Sequence, residues 1–432
     1  PAIDTEPRFH PSDPDLLSYI RTDVPGYESS QRFIYLWRIS TGEQWNATTR
    51  DFPFSVGEHR WVNDGGAIVF TAIIDGVSSV LYANVTSPPG NYPQPIYVGD
   101  NHRSCGSVHS MGQDQVLLAC SSLYAPVDFY VASLRDANLR QITAFNSEML
   151  AKTLMGTEAQ YLKFTGGNGD EVGMWVLTPY NYQPDGNHAV AMLIHGGPES
   201  AWTTDWSYRW NLQMYAGDGY FVVAINFHGS LGSTGNLMGQ DFVDSVANNW
   251  GGSPFQDIYL GLDYVLVDSP YAGSLDPERC VAAGASFGGF LINYIQGHMD
   301  EVMASGKNGG FKALLCHDGM FSSVANYYQT EELWFPEHEF GGPAYLVPEN
   351  YERWNPMNFV SKWNTPEMIV QGEKDFRLST SQGISMFNAL QRRGVDSQFL
   401  YFPTMNHWVF APTELTFWMD NILDFLARYG KP

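Results

Sequence analysis

Basic residues are scarce. The 432-residue chain carries 23 Lys and Arg against 46 Asp and Glu, a formal charge of −23. A surface that acidic repels polyanions, which excludes nucleic acid and anionic membranes as partners. Long apolar runs are missing as well. None approaches the roughly 18 residues a membrane span needs. Cysteine is rare: Cys105, Cys120, Cys280 and Cys316 are the full set. None stands in C-x-x-C or Cys/His metal spacing, so no metal site is expected. Cys105 and Cys120 lie close enough to bridge neighbouring strands, which leaves a disulfide and free thiols both open. Cys280 and Cys316 sit in separate apolar strands and read as buried free thiols. The first residues, Pro1-Ala2-Ile3-Asp4-Thr5-Glu6, lack the basic start and apolar middle of a signal peptide. Either none exists or it was removed with other sequence upstream.

Hydrophobic residues make up 44% of the chain and charged ones 16%, the balance of a globular protein. The length allows two domains with sizeable cores. Strong acidity, few lysines and 15% aromatics fit a secreted, extracellular protein. Two acceptor sequons, Asn46-Ala47-Thr48 and Asn84-Val85-Thr86, point the same way and mark Asn46 and Asn84 as glycosylation candidates.

Residues 1–150 read as repeated β structure. Leu16–Ile20 and Phe33–Ile39 are strands, the second closed by the turn Ser40-Thr41-Gly42-Glu43. The pair recurs at 67–71 and 79–85, and again at 115–120 and 128–134. A period of about 45–50 residues is the size of a propeller blade; an ordinary β-sandwich is the rival. About three blades cannot close a ring that takes four to eight, and an open ring exposes unpaired edges. The chain is therefore expected to be the C-terminal portion of something longer, with a missing N-terminal propeller portion or a second chain as partner. A smaller, differently closed β domain is the alternative.

The pattern changes near Phe145-Asn146-Ser147. A hairpin is expected where 161–164 and 172–177 flank Gly166-Gly167-Asn168-Gly169-Asp170. Strands then alternate with helices. Strands are expected at 190–194, 221–225, 280–283, 313–316, 367–370 and 398–402. Helices are expected at 208–216, 255–267, 290–297, 381–393 and 415–428. Such alternation argues an α/β domain over 151–432, a mostly parallel sheet with helices on both faces.

Gly284-Ala285-Ser286-Phe287-Gly288 stands between the apolar strand and an apolar helix. Strand, G-x-S-x-G, helix is the nucleophile-elbow context of an α/β-hydrolase, in which the turn lifts the serine hydroxyl clear of the sheet. A serine nucleophile needs a general base, and the base needs an acid to orient it. Asp375 follows a late strand, at the sheet edge where catalytic groups gather; Glu373 is a substitute. His407 follows the last strand and is the only histidine after His338. Oxyanion donors are expected from the backbone of Phe287 and of Gly197, in the run His195-Gly196-Gly197-Pro198 after an earlier strand.

Together these residues resemble the prolyl oligopeptidase family of serine peptidases, in particular its acylaminoacyl-peptidase and dipeptidyl peptidase V branch. The shared stretches are His195–Pro198, Asn226-Phe227-His228-Gly229-Ser230, Asn249-Trp250-Gly251-Gly252, Gly284–Gly289, Gly372–Asp375 with Phe376-Arg377, and His407-Trp408. Glu332–Pro336 with Phe340–Pro343 resembles dipeptidyl peptidase V. The resemblance spans nearly all of 150–432 and implies a propeller cap that screens substrates by size. Two departures stand out. Only the last blades of the family's seven are represented, and 230–236 looks longer than the usual G-S-T-G-Y-G turn.

The resemblance implies peptide hydrolysis through an acyl-enzyme with no cofactor, releasing N-terminal dipeptides from short peptide substrates. Acylaminoacyl-peptidase or carboxylesterase action on the same triad is the alternative, and a binding protein with a vestigial site is the rival from another class. Anchors for a free α-amine are sought in Glu331, Glu332, Glu337 and Glu339, and an apolar pocket in Trp334, Phe335 and Phe287. Solvated acids and core aromatics are the plain readings of the same residues.

Overall fold

The computed structural model describes residues 2–48, 52–85, 96–98, 102–112, 114–184 and 186–431. Thr86 of the second sequon lies outside them. The chain divides into two compact units.

The first unit comprises residues 1–153, 203–207 and 231–241. Its described residues form three four-stranded antiparallel sheets. The first contains β1 (Asp4–Phe9), β2 (Leu16–Thr22), β3 (Arg32–Arg38) and β4 (Glu43–Asn46). The second contains β5 (His59–Val62), β6 (Ala67–Ile74), β7 (Val77–Asn84) and β8 (Ile96–Val98). The third contains β9 (Ser104–Gly112), β10 (Gln115–Ser122), β11 (Ala125–Ser133) and β12 (Leu139–Gln141). Each is a meander of consecutive strands, so the repeat read from the sequence is a four-stranded unit.

Alternation sets the faces. On β10, Val116, Leu118 and Cys120 are buried while Leu117 and Ala119 are half-buried, as the two-residue period of a strand requires. Strand β6 is buried on both faces. Its Ile68 and Phe70 join Ile20, Ile34 and Leu36 of the first sheet in one core. Its Val69 joins Val108, Val116 and Leu118 of the third sheet in another. Cys105 and Cys120 face each other across β9 and β10 and form a disulfide, while Cys280 and Cys316 are free and buried.

Two segments that the sequence places inside the α/β domain belong instead to this unit, 203–207 and 231–241. Their polar side chains explain it. Thr204 Oγ1 lies 2.8 Å from Ser104 Oγ, and Asp205 accepts from Ser121 Oγ at 3.2 Å. Thr234 Oγ1 donates to Asp75 at 2.7 Å, whose N–H donates to the Gly232 carbonyl.

The second unit comprises residues 154–202, 208–230 and 242–432. It is built on an eight-stranded mixed sheet in the order β13-β14-β16-β15-β17-β18-β19-β20. The strands are β13 (Ala159–Thr165), β14 (Glu171–Leu177), β15 (His188–Ile194), β16 (Phe221–Asn226), β17 (Leu275–Ala285), β18 (Phe311–His317), β19 (Glu367–Gly372) and β20 (Ser397–Phe402). The expected hairpin β13–β14 is antiparallel, and β14 runs antiparallel to β16. From β16 through β20 all pairs are parallel. The central strands are buried along almost their whole length, as parallel strands covered on both faces must be; β16 and β19 expose no residue.

The helices Phe287–Gly297 and Pro412–Gly430 pack on β17 and β18, and Thr380–Arg393 on β19 and β20. The helix expected at 208–216 is shorter, Leu212–Gly217. Asn211 starts it by accepting the Gln213 N–H, an N-cap that leaves Tyr208 outside the helix and exposed. Between β18 and β19 lie three short helices absent from the sequence reading, Ser323–Tyr327, Trp334–Glu339 and Pro348–Arg353.

Candidate active site

Parallel strands aim their C-terminal ends at one edge of a sheet, and loops there collect the polar groups. Five loops at this edge matter, those after β15, β17, β18, β19 and β20. Ser286 follows β17 and has φ 59° and ψ −119°, a conformation L-residues avoid. Its N–H donates to the His317 carbonyl at 3.0 Å, and its carbonyl accepts from Phe290 N–H at 2.9 Å. The backbone is thereby held from both sides, and Ser286 is half-buried, beside half-buried Ala285 and buried Phe287.

Gly288 permits this turn. A Cβ there would stand 2.2 Å from the Ile194 carbonyl oxygen, so the helix approaches β15 only without a side chain. Phe287 opens the helix, and the first N–H groups of a helix have no partner inside it. The loop after β15 brings Gly196 beside Ser286: a Cβ on Gly196 would lie 3.0 Å from Ser286 Cβ and 3.6 Å from its Oγ. Gly197 follows with φ 128°. His195 is held below this loop, with Nε2 2.8 Å from Ser230 Oγ and Nδ1 2.8 Å from the Gly196 oxygen. Burial pushes its imidazole down to about 4, so it is neutral and serves as scaffold.

Asp375 and His407 meet. His407 Nδ1 donates to Asp375 Oδ2 at 2.6 Å. The other carboxylate oxygen accepts from the N–H groups of Arg377 and Leu378, both at 2.9 Å. Asp375 is 1% exposed, so this ion-pairing group is desolvated and fully used. Glu373, the substitute, is exposed. The two loops are stitched together by Glu373 N–H to the Phe402 carbonyl and Lys374 N–H to the Met405 carbonyl, each 2.9 Å. Gly372 makes that possible, since a Cβ there would lie 2.4 Å from the Asn406 carbonyl oxygen.

The acids and aromatics sought as substrate contacts divide. Glu339 is buried, with Oε2 accepting from Trp250 Nε1 at 2.8 Å and Oε1 2.9 Å from His338 Nδ1. Its carboxylate is committed to structure. Glu337 accepts from Tyr327 OH at 2.9 Å. Glu331 and Glu332 both pair with Arg377, at 3.6 and 2.8 Å, and that guanidinium lies 5.1 Å from the centre of the Trp408 ring. Trp334 is exposed. Phe335 stands 6.1 Å from the Trp250 ring, which contacts Phe287 at 4.9 Å. The helix Trp334–Glu339 thus reaches the residue after Ser286 through one tryptophan.

Two participants escaped the sequence reading. Trp250 is the hub of the aromatic cluster, and only its place in a quoted motif pointed to it. Asp318 follows β18 as Ser286 follows β17, and the run His317-Asp318-Gly319 after an apolar strand was the available signal. A carboxylate oxygen of Asp318, one of Asp375 and a ring nitrogen of His407 lie within 4.8 Å of one another.

Comparison with known proteins places this geometry. The chain is 35% identical over 418 residues to dipeptidyl-peptidase 5 of Schizosaccharomyces pombe, covering 96% of this chain and 57% of that protein. It is 34% identical over 426 residues to a probable dipeptidyl-peptidase 5 of Aspergillus terreus, covering 98% and 56%. The chain therefore spans a little over half the length of the curated relatives it matches. Among solved structures, uncomplexed acylaminoacyl peptidase of Pyrococcus horikoshii superposes with a TM-score of 0.81 at 21% identity, over 97% of this chain and 62% of that one. That likeness is one of fold. The sequence profile of the prolyl oligopeptidase family matches residues 206–432, a stretch that holds the elbow, the acid loop and the histidine loop, and the chain belongs to that family.

Proposed function

We propose that the chain is the catalytic part of a serine peptidase that hydrolyses short peptides and releases dipeptides from their N-termini. One observation carries the reading: a buried Asp375–His407 pair at the same sheet edge as a serine in strained elbow geometry. His407 accepts the proton of Ser286 as the oxygen attacks the scissile carbonyl. Asp375 keeps the Nδ1 proton in place, so that Nε2 is the free base, and stabilises the imidazolium that forms. The N–H groups of Phe287 and Gly197 receive the oxyanion. His407 then protonates the leaving amine, and water attacks the acyl-enzyme by the same route.

The names of the curated relatives support dipeptide release over other cuts. Kinetics on dipeptidyl amides, N-acylated amino-acid amides and simple esters test it. Preference for the first is expected; preference for the second or third would reassign the enzyme as an acylaminoacyl peptidase or an esterase. Ser286→Ala is expected to lose turnover and labelling by a fluorophosphonate probe while keeping its fold. Normal turnover in that variant refutes the assignment.

We further propose that the three meanders are blades of a propeller of which this chain carries a part. The sharing of β6 between two cores supports it, since stacked blades bury both faces of an inner sheet. Secretion and glycosylation at Asn46 and Asn84 remain part of the proposal. Intact mass of the native protein before and after deglycosylation tests all three points.

A further inference from the structure

We propose that Asp318 is a positioning residue of the catalytic site, a buried acid that fixes the loop carrying Asp375 without adding a charge to it. The proposal rests on the triad reading above. Asp318 is the first residue beyond β18 and has φ 44°, which a residue with a Cβ adopts at a cost. Its contacts account for the placement. Its N–H donates to the Val370 carbonyl at 2.9 Å, and its Oδ1 accepts from Gly372 N–H at 3.1 Å. Both partners belong to the end of β19, just before Asp375. The carbonyl of the preceding His317 accepts from Ser286 N–H. One dipeptide therefore tethers the nucleophile turn and the acid loop.

Its remaining oxygen decides its charge. Oδ2 is buried and has no hydrogen-bond partner among the described residues. It lies 2.9 Å from His317 Nε2 but outside hydrogen-bonding geometry. Two carboxylates so close in a buried site do not both ionise. Asp375 accepts from His407 and two backbone N–H groups; the side chain of Asp318 accepts from one. The negative charge stays on Asp375 and the proton on Asp318. The other groups facing it agree. Burial, with the charge of Arg209, pushes His317 down to about 3, so it is neutral. Burial and then the charge of Asp375 hold the Asp318 carboxyl well above the usual carboxylate range, against the smaller opposing pull of His407 and Arg209. An ionised Asp318 would compete with Asp375 for the imidazolium.

The test is steady-state kinetics of Asp318→Asn and Asp318→Ala on a dipeptidyl amide between about pH 5 and 9, with fluorophosphonate labelling of Ser286 as control. Asn keeps the acceptor for Gly372 and carries no ionisable group. It is expected to keep kcat within about threefold and to leave the acid limb of the profile unmoved. Ala is expected to lose at least about tenfold in kcat with KM nearly unchanged. Asp318→Asn is also expected to melt above the wild type at pH 8, with the gap closing towards pH 4. The wild-type acid is neutral when folded and ionised when unfolded above its ordinary range, and the variant lacks that burden. Wild-type kcat in Ala, or Asn as impaired as Ala, overturns the proposal; so does an acid limb displaced by half a unit or more in Asn. If Ala does not fold, the profile and melting of Asn decide. A wild-type protein unlabelled at Ser286 sinks the triad reading itself and takes this proposal with it.

Discussion

The Asp375–His407 hydrogen bond at 2.6 Å fixes which imidazole nitrogen is free, and the proposed mechanism depends on that choice. Asp375→Asn keeps the shape and reverses the preference. Its kcat is expected to fall by about 10⁴-fold, measured on a dipeptidyl amide with the circular dichroism spectrum unchanged. Single residues were also where the sequence misled. Glu339 looked like an anchor for an amine because it stands in a run of acids, but folding places it against Trp250 and His338. Sequence reports that an acid is present and not which donors surround it. For Asp375 the choice over Glu373 was legible, because the position relative to a strand end decides which side chain turns inward.

Strands, and the helices after them, were legible because their apolar patterns are dense and their ends are marked by glycines. The loop after β19 shows what such a glycine does. Gly372→Ala places a methyl against the Met405 and Asn406 carbonyls. It is expected to push the histidine loop away and to reduce kcat by about 10²-fold, the scale of a misplacement of about 1 Å, with a far smaller change in melting temperature. The pairing of β9 with β10 is a second case. Cys105 and Cys120 are 15 positions apart in the sequence. Replacing both by serine is expected to cost about 3 kcal/mol, read from denaturant unfolding with and without reductant. The short helices between β18 and β19 were missed for a physical reason. Pieces of five or six residues carry less than two turns of pattern, and their stability comes from packing such as Phe340 on Tyr351, which no local window contains.

Over the whole molecule, one group through which stability should depend on pH is a buried histidine. His228 lies with Nδ1 2.7 Å from Asp257 and Nε2 3.2 Å from Asp170. Burial pulls its imidazole down, but the hydrogen bonds and charges of the two acids together raise it above its ordinary range. A raised group stabilises fully below its unfolded value and loses that contribution as pH rises through the folded one. His228→Gln is expected to cost about 3 kcal/mol near pH 6, with a smaller cost above pH 9, checked by urea unfolding at both. The repeat of residues 1–150 was legible because three meanders repeat one pattern. The assignment of 203–207 and 231–241 to the first unit was not, since a few hydrogen-bonding side chains at loop tips leave no periodic trace. These two excursions mean that the polypeptide laces through its own units several times before it ends. A protease nick near Thr153 should therefore leave the fragments migrating together in native gels and parting only in detergent. The first unit could not be lifted out of this chain as one contiguous piece, because 203–207 and 231–241 lie inside the stretch that carries the second.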